Sequence, residues 1–233
     1  MNKYLYFTVF SAGMATLAIE LAASRLLGNS FGTSNLVWAS IIGLILIYLT
    51  AGYFLGGSWA DRSPHYRTMY AILACGGFSA ALVPFIARPV LQLAAQAFDQ
   101  LQVGVLLGSF SAVLILFIIP ITLLGMISPF AIRLAIADSR QAGRISGRIY
   151  AISTLGSFIG TFLPVLLFIP LVGTTITFLI FGGFLTLVAL LGLYLGGGLK
   201  LALKYAWMPV VLVVLGIIWA NGSIKTTQGQ LFE

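Results

Sequence analysis

The chain has 233 residues, of which 60% are hydrophobic and only 7% charged, with a formal net charge of +7. Soluble domains carry roughly a quarter charged residues, so this composition excludes a water-solvated surface and points to one solvated by lipid. The positive charge does not mark a nucleic-acid partner, because the basic residues sit in short segments between apolar runs, as in membrane proteins that orient themselves by such residues.

Crossing a hydrocarbon core of about 30 Å takes roughly 20 apolar residues in a helix. That ruler predicts an all-α polytopic transmembrane bundle of about seven spans: Tyr4–Leu27, Leu36–Trp59, Thr68–Ala87, Val103–Ile127, Ile149–Ile169, Thr174–Leu195 and Tyr205–Ala220. The runs are continuously apolar, whereas barrel strands alternate. The first run exceeds a signal-peptide core and contains Glu20, so it is expected to be retained. The last is short and holds Pro209, which predicts a tilted or peripheral helix. Residues 1–220 are thus expected to form one transmembrane domain, followed by a short tail, 221–233.

Basic residues set the expected orientation. With the N-terminus in the cytoplasm, Lys3, Arg62, Arg67, Arg133, Arg140, Arg144, Arg148, Lys200 and Lys204 fall inside, against Arg25, Arg88 and Lys225 outside. The expected location is a bacterial cytoplasmic membrane. Pro89–Leu101 places Gln92, Gln96, Asp99 and Gln100 opposite Val90, Leu91, Ala94, Ala97, Phe98 and Leu101, the pattern of an amphipathic helix in the outer interface with proline at its first position. In the long inner segment Ser128–Arg148, Arg140, Arg144 and Arg148 are candidates for lipid-headgroup contact.

Glu20 is the one acid well inside an expected span. A carboxylate there is costly, so it is expected to face the bundle interior, either as a cation or proton site or as a hydrogen-bond anchor. Ser24 shares its face one turn on, whereas Arg25 projects from another side, a poor geometry for pairing within the helix. At the end of the second span, Gly57, Asp61 and Arg62 form a candidate hinge, in which Asp61 caps a facing helix or pairs with Arg62 or a base on the next loop. Small residues four apart, Ala39/Gly43, Gly52/Gly56, Gly156/Gly160 and Gly192/Gly196, predict close helix crossings. Pro120, Pro129, Pro164 and Pro170 predict kinks or helix ends.

The lone Cys75 excludes an intrachain disulfide, and the lone His65 has no metal-ligand spacing around it. No nucleotide loop, metal helix or nucleophile elbow is present, so neither cofactor, metal nor catalytic residue is assigned.

Several segments in order carry a family resemblance: Glu20-Leu-Ala-Ala-Ser-Arg25-Leu-Leu-Gly28, Phe31-Gly32-Thr33-Ser34, and Gly52-Tyr-Phe-Leu-Gly56-Gly57-Ser-Trp-Ala-Asp61-Arg62. Leu124-Gly125-Met-Ile-Ser-Pro129, the run Gly147-Arg148-Ile-Tyr150 through Gly156 to Gly160, and Ile169-Pro170-Leu-Val-Gly173 continue it. Together they resemble the membrane domain of fused spermidine synthase-like membrane proteins, which is distantly similar to a truncated major facilitator. The resemblance implies a membrane module, and the soluble aminopropyltransferase domain that many members carry is expected to be absent. It also implies that a contact at Asp61 holds one conformational state. The expected function is a non-catalytic membrane module that anchors or regulates an aminopropyltransferase-type partner, or serves as a subunit of a larger membrane assembly, with a protein partner or further copies of itself. The alternative is a small cation or polyamine transporter, or half of one, built around Glu20 and the Asp61-Arg62 hinge.

Overall fold

Lipid offers no partner to a backbone N–H or C=O, so a chain of this composition must satisfy them within its own helices. The computed structural model describes residues 2–98, 104–136 and 139–224, all helix and short connections, with no strand among them. The order is α1 (Asn2–Phe31), α2 (Asn35–Arg62), α3 (Tyr66–Phe98), α4 (Gly104–Gly125), α5 (Ile127–Ala135), a 3₁₀ turn (Ser139–Gln141) and α6 (Ala142–Leu163). A π-helical turn (Pro164–Phe168) leads into α7 (Ile169–Gly197), followed by α8 (Leu199–Tyr205) and α9 (Trp207–Ile224).

Local chemistry marks the boundaries. The Ser34 side chain accepts from the Val37 N–H at 3.4 Å and caps α2. At its far end the Ser63 N–H closes on the Trp59 carbonyl at 2.8 Å, just before Pro64.

Six segments are long and apolar enough to cross a membrane: Lys3–Phe31, Asn35–Arg62, Tyr66–Ala97, Gly104–Ala135, Ala142–Gly197 and Leu199–Trp219. The fifth does not run straight. Phe168 and Phe181 lie with ring centroids 5.3 Å apart, whereas thirteen residues of straight helix would separate them by about 20 Å. The chain doubles back at Gly173, whose φ of 79° and ψ of 170° lie in a region essentially reserved for glycine.

Helix directions follow from which residues meet. Gly13 faces Ser153 and Gly160 faces Met14, so α6 runs parallel to α1. The Tyr4 hydroxyl donates to the Val188 carbonyl, so α7 runs antiparallel to α1. Gly77 meets Gly182 while Arg67 Nε donates to the Gly196 carbonyl at 3.0 Å, so α7 is antiparallel to α3. Gly52 lies over Thr122 and Gly56 over Met126, making α2 parallel to α4. Helix α9 follows α3, with Trp207 edge-on to Phe78 and Trp219 edge-on to Phe85. It belongs to the least buried of the six segments, in keeping with a peripheral last helix.

The core is apolar and dense with small residues: Ala15, Ala18, Ala22, Ala74 and Ala80 are fully buried beside Tyr70, Phe117, Phe130 and Phe178. Lipid supplies no hydrophobic drive between helices, so close backbone approach and dispersion hold the bundle together. A Cβ on Gly156 would strike the Phe10 carbonyl, and one on Gly160 the Met14 carbonyl. On Gly56 it would lie 2.6 Å from Met126 Cα, and on Gly52 it would strike the Thr122 carbonyl. Gly192 packs its bare face against the Tyr70 ring. These crossings match expectation. Gly43 does not, because nothing lies within 4 Å of a Cβ built there.

Two boundaries differ from expectation. Pro89 does not open a separate interfacial helix: α3 continues through Pro84 and Pro89 to Phe98. Leu91 and Ala94 are buried, and the Ala94 carbonyl lies 3.2 Å from a Cβ built on Gly108 of α4, so packing holds the helix together across the lost N–H. Asp99, Gln100 and Leu101 of that segment lie outside the described residues. Helix α9 also extends to Ile224, past the expected span end at Ala220, and the remainder of the tail, 225–233, lies outside the described residues.

Candidate functional site around Glu20 and the Asp61–Arg133 pair

Helices α2 and α6 both lie against α1, but among the described residues they do not pack along each other. Gly13, Leu17, Glu20 and Ser24 follow one another at spacings of four, three and four, so they form one stripe of α1. That stripe meets α6 at Gly13, where the Ser157 hydroxyl donates to the Gly13 carbonyl at 3.2 Å. Glu20 is half-buried and, among the described residues, has neither a hydrogen-bond nor an ion-pair partner. The Ser24 hydroxyl donates to the Leu21 carbonyl at 2.8 Å, which leaves its oxygen lone pairs available. Arg25 is exposed and makes no bond to Glu20, as the spacing on the helix foretells.

Ala39, Gly43, Leu46, Thr50, Tyr53 and Gly57 form a stripe of α2, each exposed or half-buried. Tyr53 and Tyr150 of α6 lie within electrostatic reach of each other, which places this stripe toward α6. Along α6, Tyr150, Thr154, Ser157 and Thr161 are spaced by four, three and four and give that helix a hydroxyl-bearing stripe.

Helix α5 packs against α2, α1 and α6. Arg133 Nε donates to Asp61 Oδ1 at 2.9 Å, with the two side chains 46% and 73% exposed. The partner of Asp61 is therefore Arg133, neither Arg62 nor a base on the following loop. Those exposures decide the strength of the contact: an ion pair so open to solvent contributes about 0–1 kcal/mol. It is a fastening that small changes can release. Gly57 sits above Pro129, whose Cβ lies 3.9 Å from a Cβ built on the glycine, so α2 and α5 touch there without interlocking. Arg62 is exposed and reaches no acid among the described residues.

The α6 arginines divide their roles. Arg148 places its guanidinium carbon 4.8 Å from the centre of the Tyr6 ring, a cation–π contact that ties the start of α6 to α1. Arg144 Nη2 lies 3.5 Å from Gln141 Oε1, and both Arg140 and Arg144 are exposed. The helix directions gather Lys3, Arg62, Arg67, Arg133, Arg144, Arg148, Lys200 and Lys204 at one end of the bundle and leave Arg25 and Arg88 at the other.

A polar cluster that the sequence does not announce lies between α1, α3 and α7. Thr8 and Tyr70 are fully buried with their hydroxyl oxygens 3.5 Å apart, and Thr8 also donates to the Tyr4 carbonyl at 2.9 Å. No group of three metal-ligating side chains occurs among the described residues. Comparison with family models, curated proteins and solved structures finds no match for this chain.

Proposed function

We infer that this chain is an integral membrane protein that crosses the bilayer seven times with its N-terminus in the cytoplasm and carries a cation through the gap between α2 and α6. The reversal at Gly173 divides the 56-residue segment Ala142–Gly197 into two passes, which brings six apolar segments to seven crossings. The gathering of basic residues at the N-terminal end supports the orientation.

One observation carries the reading: an acid within a long apolar helix, Glu20, lies half-buried and unpartnered on α1, and in this reading the gap between α2 and α6 is the path it serves. Burying a carboxylate in lipid is expensive, so intramembrane acids mark ion or substrate paths. In the same reading α5, held by the weak Asp61–Arg133 pair, closes one end of that path, an arrangement suited to a releasable gate. The same reading covers a half-transporter, in which the chain works beside a second copy or a partner. Uptake of labelled monovalent and organic cations into proteoliposomes tests this. Uptake by the wild type that disappears in Glu20→Gln is the expected result, and absence of uptake from both rejects transport.

A second reading is a non-catalytic module resembling the membrane domain of spermidine synthase-like proteins, which anchors or regulates a partner. It is favoured by the position of the shared motif glycines: Gly52, Gly56, Gly156 and Gly160 all lie at helix crossings, so the resemblance describes a scaffold. Purification from mild detergent with a stoichiometric protein partner supports that reading, and purification alone opposes it.

A further inference from the structure

The corner where α3, α7 and α8 meet carries positive charge that no acid among the described residues balances. Arg67 Nε donates to the Gly196 carbonyl at 3.0 Å, which uses one of the five guanidinium N–H groups and leaves four for another acceptor. A Cβ built on Gly197 would lie 3.3 Å from that Nε and 3.3 Å from Leu201 Cβ, so the guanidinium and the first turn of α8 meet at the end of α7. Lys200 directly precedes Leu201, and Lys204 lies one turn on from it along the same face. Both lysines and Arg67 are exposed. The described acids are engaged or distant: Asp61 pairs with Arg133, and Glu20 lies about 24 Å along α1 from Tyr4. Apolar surface stands beside this charge. Leu201, Ala202 and Tyr205 turn toward the core, whereas Leu199, Leu203 and Trp207 follow at intervals of four and are 61%, 61% and 52% exposed. That stripe lies about 100° round the helix from the two lysines.

We propose that Arg67, Lys200 and Lys204 hold the phosphodiester headgroup of an anionic bilayer lipid, whose acyl chains lie along Leu199, Leu203 and Trp207. The surface fits both halves of such a molecule. The guanidinium fork matches phosphate oxygens, and the lysines bring point charges on stems long enough to reach the headgroup level. A zwitterionic headgroup carries its own ammonium, which three clustered cations repel. An acidic protein segment would satisfy the charges but would leave the leucine stripe beside them uncovered. Each basic residue near an anionic leaflet strengthens attraction about fivefold. The inference rests on the chain lying in a bilayer and is independent of the proposed transport.

Trp207 can report which lipid touches this corner. A background of Trp38→Phe, Trp59→Phe and Trp219→Phe leaves it as the one indole. The protein is placed in mixed phosphatidylglycerol and phosphatidylcholine vesicles, with bromine on the chains of one lipid or the other to quench its fluorescence. At equal mole fractions, phosphatidylglycerol is expected to quench with a relative association constant of about five or more. Lys200→Gln with Lys204→Gln, and separately Arg67→Gln, lower that preference, whereas Lys200→Arg with Lys204→Arg keeps it. Salt at about 1 M, which shortens screening to roughly 3 Å, also lowers it. Unchanged quenching in pure brominated phosphatidylcholine shows that a variant keeps its fold around Trp207. Equal quenching by the two lipids, or an undiminished preference when all three cations are neutralised, overturns the headgroup site while leaving the chain in the bilayer. Quenching by neither lipid overturns the site together with the bilayer contact on which it rests.

Discussion

Asp61 at the end of α2 and Arg133 at the end of α5 meet at 2.9 Å, and this contact fastens a nine-residue helix to the end of α2. The pair is exposed, so breaking it costs little stability, and in the proposed gate it is the polar part of what holds α5 beside the buried Ile127, Phe130 and Ala131. Asp61→Asn is expected to lower the unfolding free energy by no more than about 1 kcal/mol. In a Cys75→Ser background, Tyr53→Cys is expected to react faster with a membrane-impermeant maleimide once Asp61→Asn is added. The exchange of Asp61→Arg with Arg133→Asp restores the slow rate.

The glycine crossings make opposite predictions from similar sequence patterns. Gly160→Ala puts a methyl into the Met14 carbonyl and Gly156→Ala into that of Phe10, and each is expected to cost about 1–3 kcal/mol in overpacking. Gly43→Ala meets open space and gains about 0.5–1 kcal/mol of helix preference. Thermal unfolding in one detergent separates the two classes by sign.

Gly173 turns the chain between α6 and α7 with a backbone conformation closed to other residues. Gly173→Ala is expected to destabilise by about 1–3 kcal/mol. Because the strain lies at the corner between α6 and α7, limited proteolysis near residue 173 should accelerate along with the fall in midpoint.

Arg148 above Tyr6 connects α6 to α1 near the basic end of the bundle. A double-mutant cycle with Arg148→Gln and Tyr6→Leu is expected to give a coupling of about 0.5–1 kcal/mol, the range for a partly exposed cation–π pair. Additive effects would show that the guanidinium serves the lipid headgroups alone.

The membrane character and most helix limits were legible because the bilayer imposes one length and one polarity on every crossing. Gly52, Gly56, Gly156 and Gly160 were legible as close approaches because small residues four apart serve little else in lipid. The same pattern misled at Ala39 and Gly43, since spacing does not say whether a neighbour stands opposite. Pro89 looked like a helix start because local rules end helices at proline, yet Leu91 and Ala94 pack on α4 and carry α3 through it. Glu20 stood out by its rarity. Arg133 was visible as a basic residue in the long segment between apolar runs, but its pairing with Asp61 is a contact across 72 positions.

The account stands on Glu20 facing a solvated cleft instead of acyl chains, and cysteine accessibility along α1 tests that most directly. In a Cys75→Ser background, Leu17→Cys and Ser24→Cys share the stripe of Glu20, whereas Phe7→Cys occupies an exposed apolar position off that stripe. The expected result is rapid reaction of the first two with a small cationic methanethiosulfonate reagent and none of Phe7→Cys. Protection of all three, with reactivity appearing only after detergent unfolds the bundle, would contradict it.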